Sequence, residues 1–346
     1  MQQSITTIAI RCPNWVGDIV MATPALDCFR QNFPNARIVG ILGKNAQGIV
    51  RDGPWFDDLI DCEDKTLAGL RRMTSKILAF KPDMAILLPN SVRSVIPFWL
   101  ARTKKIYGYR RNIRSPLLSG GPKPLRRGSR IIPMPMQEYY LEICRWLGLT
   151  LPPVKKPTLF ISQQLQKRAD DLLLKYGIGP NDTVIGLNPG ASFGSSKCWP
   201  APNFAKTAEL FQQKFHADIL LLAGPGEEQI VHAILSKTTA KIINTARDRI
   251  DLELLKPIVK RCNLLITNDT GPRHYAVALD VPVVVIMGST DPRYTSSNMD
   301  NTIVIRIEMD CSPCHKKTCP TEHNCMTQIT PEMVFEAGKK LLNGPH

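Results

Sequence analysis

Residues 263–279 read Asn263-Leu-Leu-Ile-Thr-Asn-Asp-Thr-Gly-Pro-Arg-His-Tyr-Ala-Val-Ala-Leu279. The apolar run up to Thr267 predicts a buried strand, and the stretch from Tyr275 predicts the start of a helix. Between them lie seven polar or backbone-special residues, Asn268 to His274. Polar groups at the carboxyl end of a strand, ahead of a helix, mark the place where open α/β sheets bind ligands. The first amides of that helix have no partner within it and the helix dipole adds positive charge, so the turn at Thr270 and Gly271 suits a phosphate. Asp269 is unfavourable beside a phosphate unless it has another task, such as accepting hydrogen bonds from the hydroxyls of a sugar.

Working outward, the same alternation of strand and helix runs through the chain. In the first part, strands are predicted at 5–10, 37–42, 84–88 and 105–109. Helices are predicted at 19–33, 67–80, 92–101 and 137–147. Leu151-Pro-Pro-Val-Lys-Lys-Pro157 then supplies three prolines in seven residues and reads as a stiff linker. The alternation restarts with strands at 183–187, 218–223, 241–243, 264–266 and 283–286, and a last helix is expected at 331–342. Strands spaced by helices imply parallel sheets with right-handed crossovers. A chain of 346 residues exceeds one core. The expected organisation is therefore two Rossmann-like domains, residues 1–150 and 151–330. Residues 331–346 would form a terminal helix that crosses back to the first domain, and a cleft is expected between the domains.

No apolar stretch is long enough to span a bilayer, and the first residues lack the pattern of a secretory signal, so a cytoplasmic protein is expected. Charge is uneven. Residues 1–150 hold 22 Lys and Arg against 11 Asp and Glu, whereas the remainder holds 22 against 19. Between 91 and 130 there are eleven basic residues and no acidic one. Such a segment meets nucleic acid, a phospholipid surface or a phosphorylated substrate, or is merely a solvated basic face.

Three further loops carry candidate chemistry. Pro13-Asn-Trp-Val-Gly-Asp18 joins the first strand to the first helix. There Gly17 permits close backbone approach, and Asp18 is either a helix N-cap or a general base. Asn188-Pro-Gly-Ala-Ser-Phe-Gly-Ser-Ser-Lys197 follows the first strand of the second half. Its Ser192, Ser195 and Ser196 offer donors, and Lys197 offers a point charge for phosphate oxygens; the plain reading is a surface loop. Ala223-Gly-Pro-Gly-Glu-Glu228 ends the next strand, where Glu227 or Glu228 would bind ribose hydroxyls or simply favour a helix start. No Walker loop and no clean Gly-x-Gly-x-x-Gly occurs, which counts against an NTPase or an ordinary dinucleotide enzyme. Cys311, Cys314, Cys319 and Cys325 form a separate cluster. A structural zinc site, a disulfide and a free-thiol loop all stay open for it, since the spacing matches no standard zinc module.

Taken in order, Pro13–Asp18, Leu88-Pro-Asn-Ser91, Pro189–Pro200, Thr267–His274 and Met287-Gly-Ser-Thr-Asp-Pro292 resemble the lipopolysaccharide heptosyltransferases of glycosyltransferase family 9. The resemblance covers essentially the whole chain. It implies a GT-B fold with an acceptor domain followed by a donor domain. It also implies inverting transfer of heptose from an ADP-activated donor to the lipid A inner core, with no metal or other cofactor required for catalysis. Residue by residue, it makes Asp18 the base and places Lys197 on the donor phosphates. It sets Asp269 on the heptose hydroxyls, Thr270 and Gly271 at the phosphate turn, and His274 nearby, while Glu227 and Glu228 remain tied for the ribose. Asn90, Arg93, Arg110, Arg111 and Arg114 are the expected acceptor contacts. The expected setting is a monomer at the inner face of the inner membrane, with no nucleic-acid partner. Pro272-Arg273 departs from the apolar residues common in the family. Two other readings stay open: a different sugar or acceptor within the family, and a non-enzymatic protein that binds nucleic acid or an anionic surface.

Overall fold

The computed structural model describes residues 5–248 and 250–344. The chain divides into two units, residues 1–160 and 161–346. Each is an α/β unit built on one parallel sheet.

In the first unit, β1 (Thr7–Arg11), β2 (Arg37–Leu42), β3 (Asp58–Asp61), β4 (Met84–Leu87) and β5 (Lys105–Gly108) take the order β3-β2-β1-β4-β5. All four pairings are parallel. The inner strands are continuous runs of small and β-branched apolar residues, as strands covered on both faces must be. Ile8, Ile10, Val39, Ile41, Ile86 and Leu87 are buried. The order reverses direction between β1 and β4, which opens a crevice at their carboxyl ends. A short antiparallel hairpin, β6 (Arg126–Arg127) with β7 (Arg130–Ile131), stands apart from this sheet.

The second unit repeats the scheme with β8 (Val184–Asn188), β9 (Asp218–Leu221), β10 (Ile242–Asn244), β11 (Leu264–Asn268), β12 (Val283–Ile286) and β13 (Thr302–Ile305). Their order is β10-β9-β8-β11-β12-β13, so the reversal lies between β8 and β11. Its core gathers Trp199, Phe204, Phe211, Ile266, Val284 and Met326. Helix Pro331–Leu342 packs against helix Ala201–Phe215 and against β11–β13 of this unit.

The proline segment is held by the first unit. Thr150 N donates to Asn32 Oδ1 at 3.0 Å, Thr158 N donates to Thr23 Oγ1 at 3.0 Å, and Phe160 meets Trp55 edge-on. The division thus falls after Phe160 rather than at residue 150. Two strands of the parallel sheets escaped sequence reading, as did both strands of the hairpin. β3 is an edge strand of two apolar residues between two aspartates, and β13 follows a long polar loop. No helix among the described residues is long and apolar enough to cross a membrane.

Candidate active site

At the crevice of the first unit, β1 runs into helix Val16–Met21. Buried Arg11 shapes this turn, with Nη1 on the Cys12 carbonyl at 2.6 Å and Nη2 on Asn14 Oδ1 at 2.6 Å. The helix begins two residues before Asp18 and its N-cap is Trp15, which makes no side-chain cap bond. Asp18 is therefore not the N-cap that its position suggested; it lies in the first turn, behind buried Gly17. Its Oδ1 accepts a hydrogen bond from the Tyr140 hydroxyl at 2.9 Å. Burial, then the charge of Asp18, push the Tyr140 phenol well above its ordinary range, so it stays a donor.

Tyr139, the neighbour of Tyr140 on helix Met136–Trp146, reaches the other side of the same crevice. Its hydroxyl donates to Asn90 Oδ1 at 3.0 Å, and its ring stacks on Tyr109 with centroids 3.7 Å apart. Two adjacent tyrosines thus brace the loop after β1 and the loop after β4. Asn90 Oδ1 also accepts from Arg114 Nη2 at 3.2 Å, and the Asn90 carbonyl accepts from Asn112.

Arg114 corrects an expectation. It is fully buried rather than presented to an acceptor. Its guanidinium donates to the carbonyls of Pro89 and Tyr109, to Ser94 Oγ and to Asn90. Burial lowers its pKa to about 10, which still leaves it cationic at neutral pH. It organises the Asn90 loop instead of meeting a ligand. Arg93 and Arg110 are exposed, and Arg111 is half-buried beside the Tyr139 hydroxyl.

At the crevice of the second unit the strand ends are stitched together. Asn188 Oδ1 accepts from Thr267 Oγ1 and Thr270 Oγ1, both at 3.0 Å. Asn268 Nδ2 donates to the Pro189 carbonyl at 2.6 Å, and its Oδ1 accepts from Trp199 N. Thr270 is the N-cap of helix Gly271–Ala278, so the orphan amides of that helix open at this point.

Asp269 is the charge centre of the crevice. Lys197 Nζ donates to its Oδ2 at 2.9 Å and to its carbonyl at 2.7 Å. Arg273 Nη1 donates to Oδ1 at 2.7 Å, and Thr290 Oγ1 donates to Oδ2 at 2.6 Å. Burial opposes ionisation, but Arg273 and Lys197, helped by Thr290, hold the carboxyl well below the usual carboxylate range. Two cations against one anion leave a net positive charge in a site of low dielectric. His274 is buried, and burial followed by the Arg273 charge lowers its pKa to about 3, so it is neutral at physiological pH. Sequence reading treated Arg273 only as a departure from pattern. Its place in the first turn of helix Gly271–Ala278, just after a carboxylate in the turn that precedes the N-cap, was the signal.

The structure separates the two glutamates. Glu227 is half-buried, accepts from Gly224 N at 2.7 Å, and lies against Gly190, where an added Cβ would come within 1.7 Å of Oε1. Burial raises its pKa. Glu228 is exposed and accepts from Gly226 N at 3.3 Å. Ser192 and Ser195 are exposed, whereas Ser196 is buried and bonds to the backbone of Lys316 and Lys317.

The cysteine segment therefore serves as a brace. His323 Nε2 pairs with the Ser196 carbonyl at 2.8 Å, and Ser312 Oγ donates to the Gly288 carbonyl. All ten cysteines are free thiols. Among the described residues no three His, Cys, Asp or Glu side chains stand together as a metal site.

Comparison with known proteins agrees with this fold. Residues 70–324 match the family described as glycosyltransferase family 9 (heptosyltransferase). The chain is 28% identical over 347 residues to the lipooligosaccharide heptosyltransferase 2 of Campylobacter jejuni, covering 98% of this chain and 99% of that one. A solved glycosyl transferase family 9 structure from Veillonella parvula superimposes with a TM-score of 0.84 at 25% identity, covering 99% and 98% of the two chains. The Escherichia coli ADP-heptose LPS heptosyltransferase II shares the fold with a TM-score of 0.80 at 23% identity, covering 97% and 98%. The two parallel-sheet units are those of the GT-B fold.

Proposed function

Because the chain belongs to glycosyltransferase family 9, we propose that it transfers heptose from ADP-L-glycero-D-manno-heptose to the lipopolysaccharide inner core, on heptosyl-Kdo2-lipid A. It works as a monomer on the cytoplasmic side, at the surface of the inner membrane. The observation that carries this reading is the pair of crevices. The first holds a braced carboxylate, Asp18, and the second a net-positive cluster, Lys197, Asp269 and Arg273.

In this reading Asp18 takes the proton of the attacking acceptor hydroxyl, and the reaction inverts the anomeric centre. Lys197 and the amides at Thr270 and Gly271 offset charge on the departing ADP. Because Arg273 also neutralises Asp269, the Lys197 ammonium is available to the diphosphate without leaving a buried carboxylate unpaired. Glu227, rather than Glu228, binds the ribose hydroxyls, since it is the one seated against the Gly190 backbone. Asn90, Arg93, Arg110 and Arg111 hold the acceptor.

Transfer from ADP-heptose to truncated core acceptors tests the whole reading. Wild-type protein should turn over, and a chelator should leave the rate unchanged, because no step calls on a metal. Lys197→Ala should lower transfer about a hundredfold, the usual worth of one preorganised donor. Full activity in that variant would remove Lys197 from the reaction.

One observation favours a second reading, a different sugar donor. Both carboxylate oxygens of Asp269 are already engaged, Oδ1 by Arg273 and Oδ2 by Lys197 and Thr290. A donor with a different hydroxyl pattern beside Asp269 would then turn over faster than ADP-heptose in a panel of ADP-sugars.

A further inference from the structure

The β6–β7 hairpin belongs to neither parallel sheet. Arg126 pairs with Ile131 and Arg127 with Arg130, and the two-residue turn is Gly128-Ser129. Gly128 has φ +61°, the left-handed conformation such a turn needs. Arg126 Nη1 fixes the turn through the Ser129 carbonyl at 2.9 Å, and Ile132 N closes the base on the Leu125 carbonyl at 2.9 Å. The root is anchored, because Pro122 and Pro124 are buried and Arg110 N donates to the Pro122 carbonyl.

Above that root everything from Leu125 to Arg130 is exposed. Leu125 is 60% and Ile132 42% exposed, side by side at the base. Among the described residues, Arg110, Lys123, Arg126, Arg127 and Arg130 form no ion pair with a carboxylate. So small a hairpin contributes little stability of its own, and a surface kept for solubility would intersperse acids among its bases.

We infer that this hairpin docks the protein on an anionic lipid surface. Lys123, Arg126, Arg127 and Arg130 pair with headgroup phosphates, while Leu125 and Ile132 enter the boundary with the acyl chains. A bilayer fits better than nucleic acid, because apolar side chains flank the bases and no aromatic residue lies between 121 and 134 to stack on a nucleobase. The inference rests on the membrane-borne acceptor of the proposed function, yet it is measured without it.

The experiment is co-sedimentation with vesicles of phosphatidylglycerol and phosphatidylcholine, against pure phosphatidylcholine. Wild-type protein should bind the anionic vesicles, and added salt should weaken binding. R126E/R127E/R130E should bind at least about a hundredfold more weakly, at roughly a fivefold loss per basic residue removed from the surface. L125S/I132S should also weaken binding while keeping the charge. K167E/R168E/K260E, the same charge change at exposed sites of the second unit, should bind as wild type. Unfolding of each variant at the wild-type temperature establishes that it is folded. An equal loss in that second-unit variant, unchanged binding in the hairpin variants, or binding to duplex nucleic acid in place of vesicles would each overturn the inference. Transfer to a truncated, lipid-free acceptor should survive in the hairpin variants. If wild-type protein fails that transfer, the proposed activity falls while the vesicle result stands.

Discussion

The hydroxyl of Tyr140 donates to Oδ1 of Asp18 across 122 residues of sequence, at 2.9 Å. The bond fixes the direction of a carboxylate that sits on a helix of only six residues. A short helix supplies little rigidity of its own, so the phenol helps set how the carboxylate is presented. If Asp18 is the base, Tyr140→Phe should remain folded and keep its Michaelis constant for the donor. Its kcat should fall about tenfold, since a hydrogen bond to a charged group is typically worth about 1.5–3 kcal/mol. A steady-state comparison decides this, and an unchanged kcat would make Tyr140 only a packing residue.

Asp18→Asn should separate chemistry from structure more cleanly than the sequence alone would suggest. The side chain caps no helix, and an amide oxygen can still accept from Tyr140. The melting temperature should stay within a degree or two, while transfer falls at least about a hundredfold. Near-normal turnover would assign the base elsewhere.

Arg273 and Asp269 form a buried pair four residues apart. Arg273→Met leaves Oδ1 without its donor while Lys197 and Thr290 still hold Oδ2, and should cost about 1–3 kcal/mol, the usual result of leaving one buried acceptor unsatisfied. Denaturant unfolding would measure it. In an Asp269→Asn background the same substitution should cost much less, because Arg273 no longer has a carboxylate to pair with. Equal costs in both backgrounds would mean that the two side chains do not couple.

His274 makes stability depend on pH in a window set by its shift. Its folded pKa, about 3, lies below the ordinary 6.5. Between those values the unfolded chain binds the extra proton. This contribution is thus complete above about pH 6.5 and is lost as pH falls through the window. Asp269, whose carboxyl is held low, does not begin to lose its own contribution until pH falls below the ordinary carboxylate range. His274→Gln should therefore flatten the decline in melting temperature between about pH 6.5 and pH 4. A slope identical to wild type would place the proton elsewhere.

The two glutamates give a direct contrast. Glu227→Gln should weaken ADP binding by about tenfold through loss of a charge-assisted acceptor, whereas Glu228→Gln, on the exposed side of the turn, should not alter it. Calorimetric titration with ADP reads both, and the reverse pattern would move the ribose site outward.

Much of this was legible from sequence for one reason. Buried parallel strands must be continuous apolar runs, and runs such as 37–42 and 283–286 fall where they were expected. Helices 67–80 and 331–342 were equally legible, because a Thr cap and an apolar stripe mark them. What failed was local and polar. The helix expected at 92–101 breaks into Val92–Ser94 and Ile96–Leu100, since Ser91 caps the first turn and Pro97 begins a new one. The predicted helix at 19–33 starts earlier and breaks at Ala22, with Pro24 opening its second segment.

By itself, the sequence determined the strand–helix alternation, the two-unit division and the loops that carry the polar groups, because these follow from hydrophobic period and turn chemistry along the chain. Only the tertiary structure decided which polar groups are free for a ligand. Arg114 and Arg111 read alike in a basic segment, yet one is buried under the Asn90 loop. Glu227 and Glu228 are neighbours, yet one seats against Gly190. Arg273 looked like an irregularity and is the counter-ion of Asp269. In each case the deciding quantity is desolvation and the partner that offsets it, and the burial depends on residues brought together from distant parts of the chain.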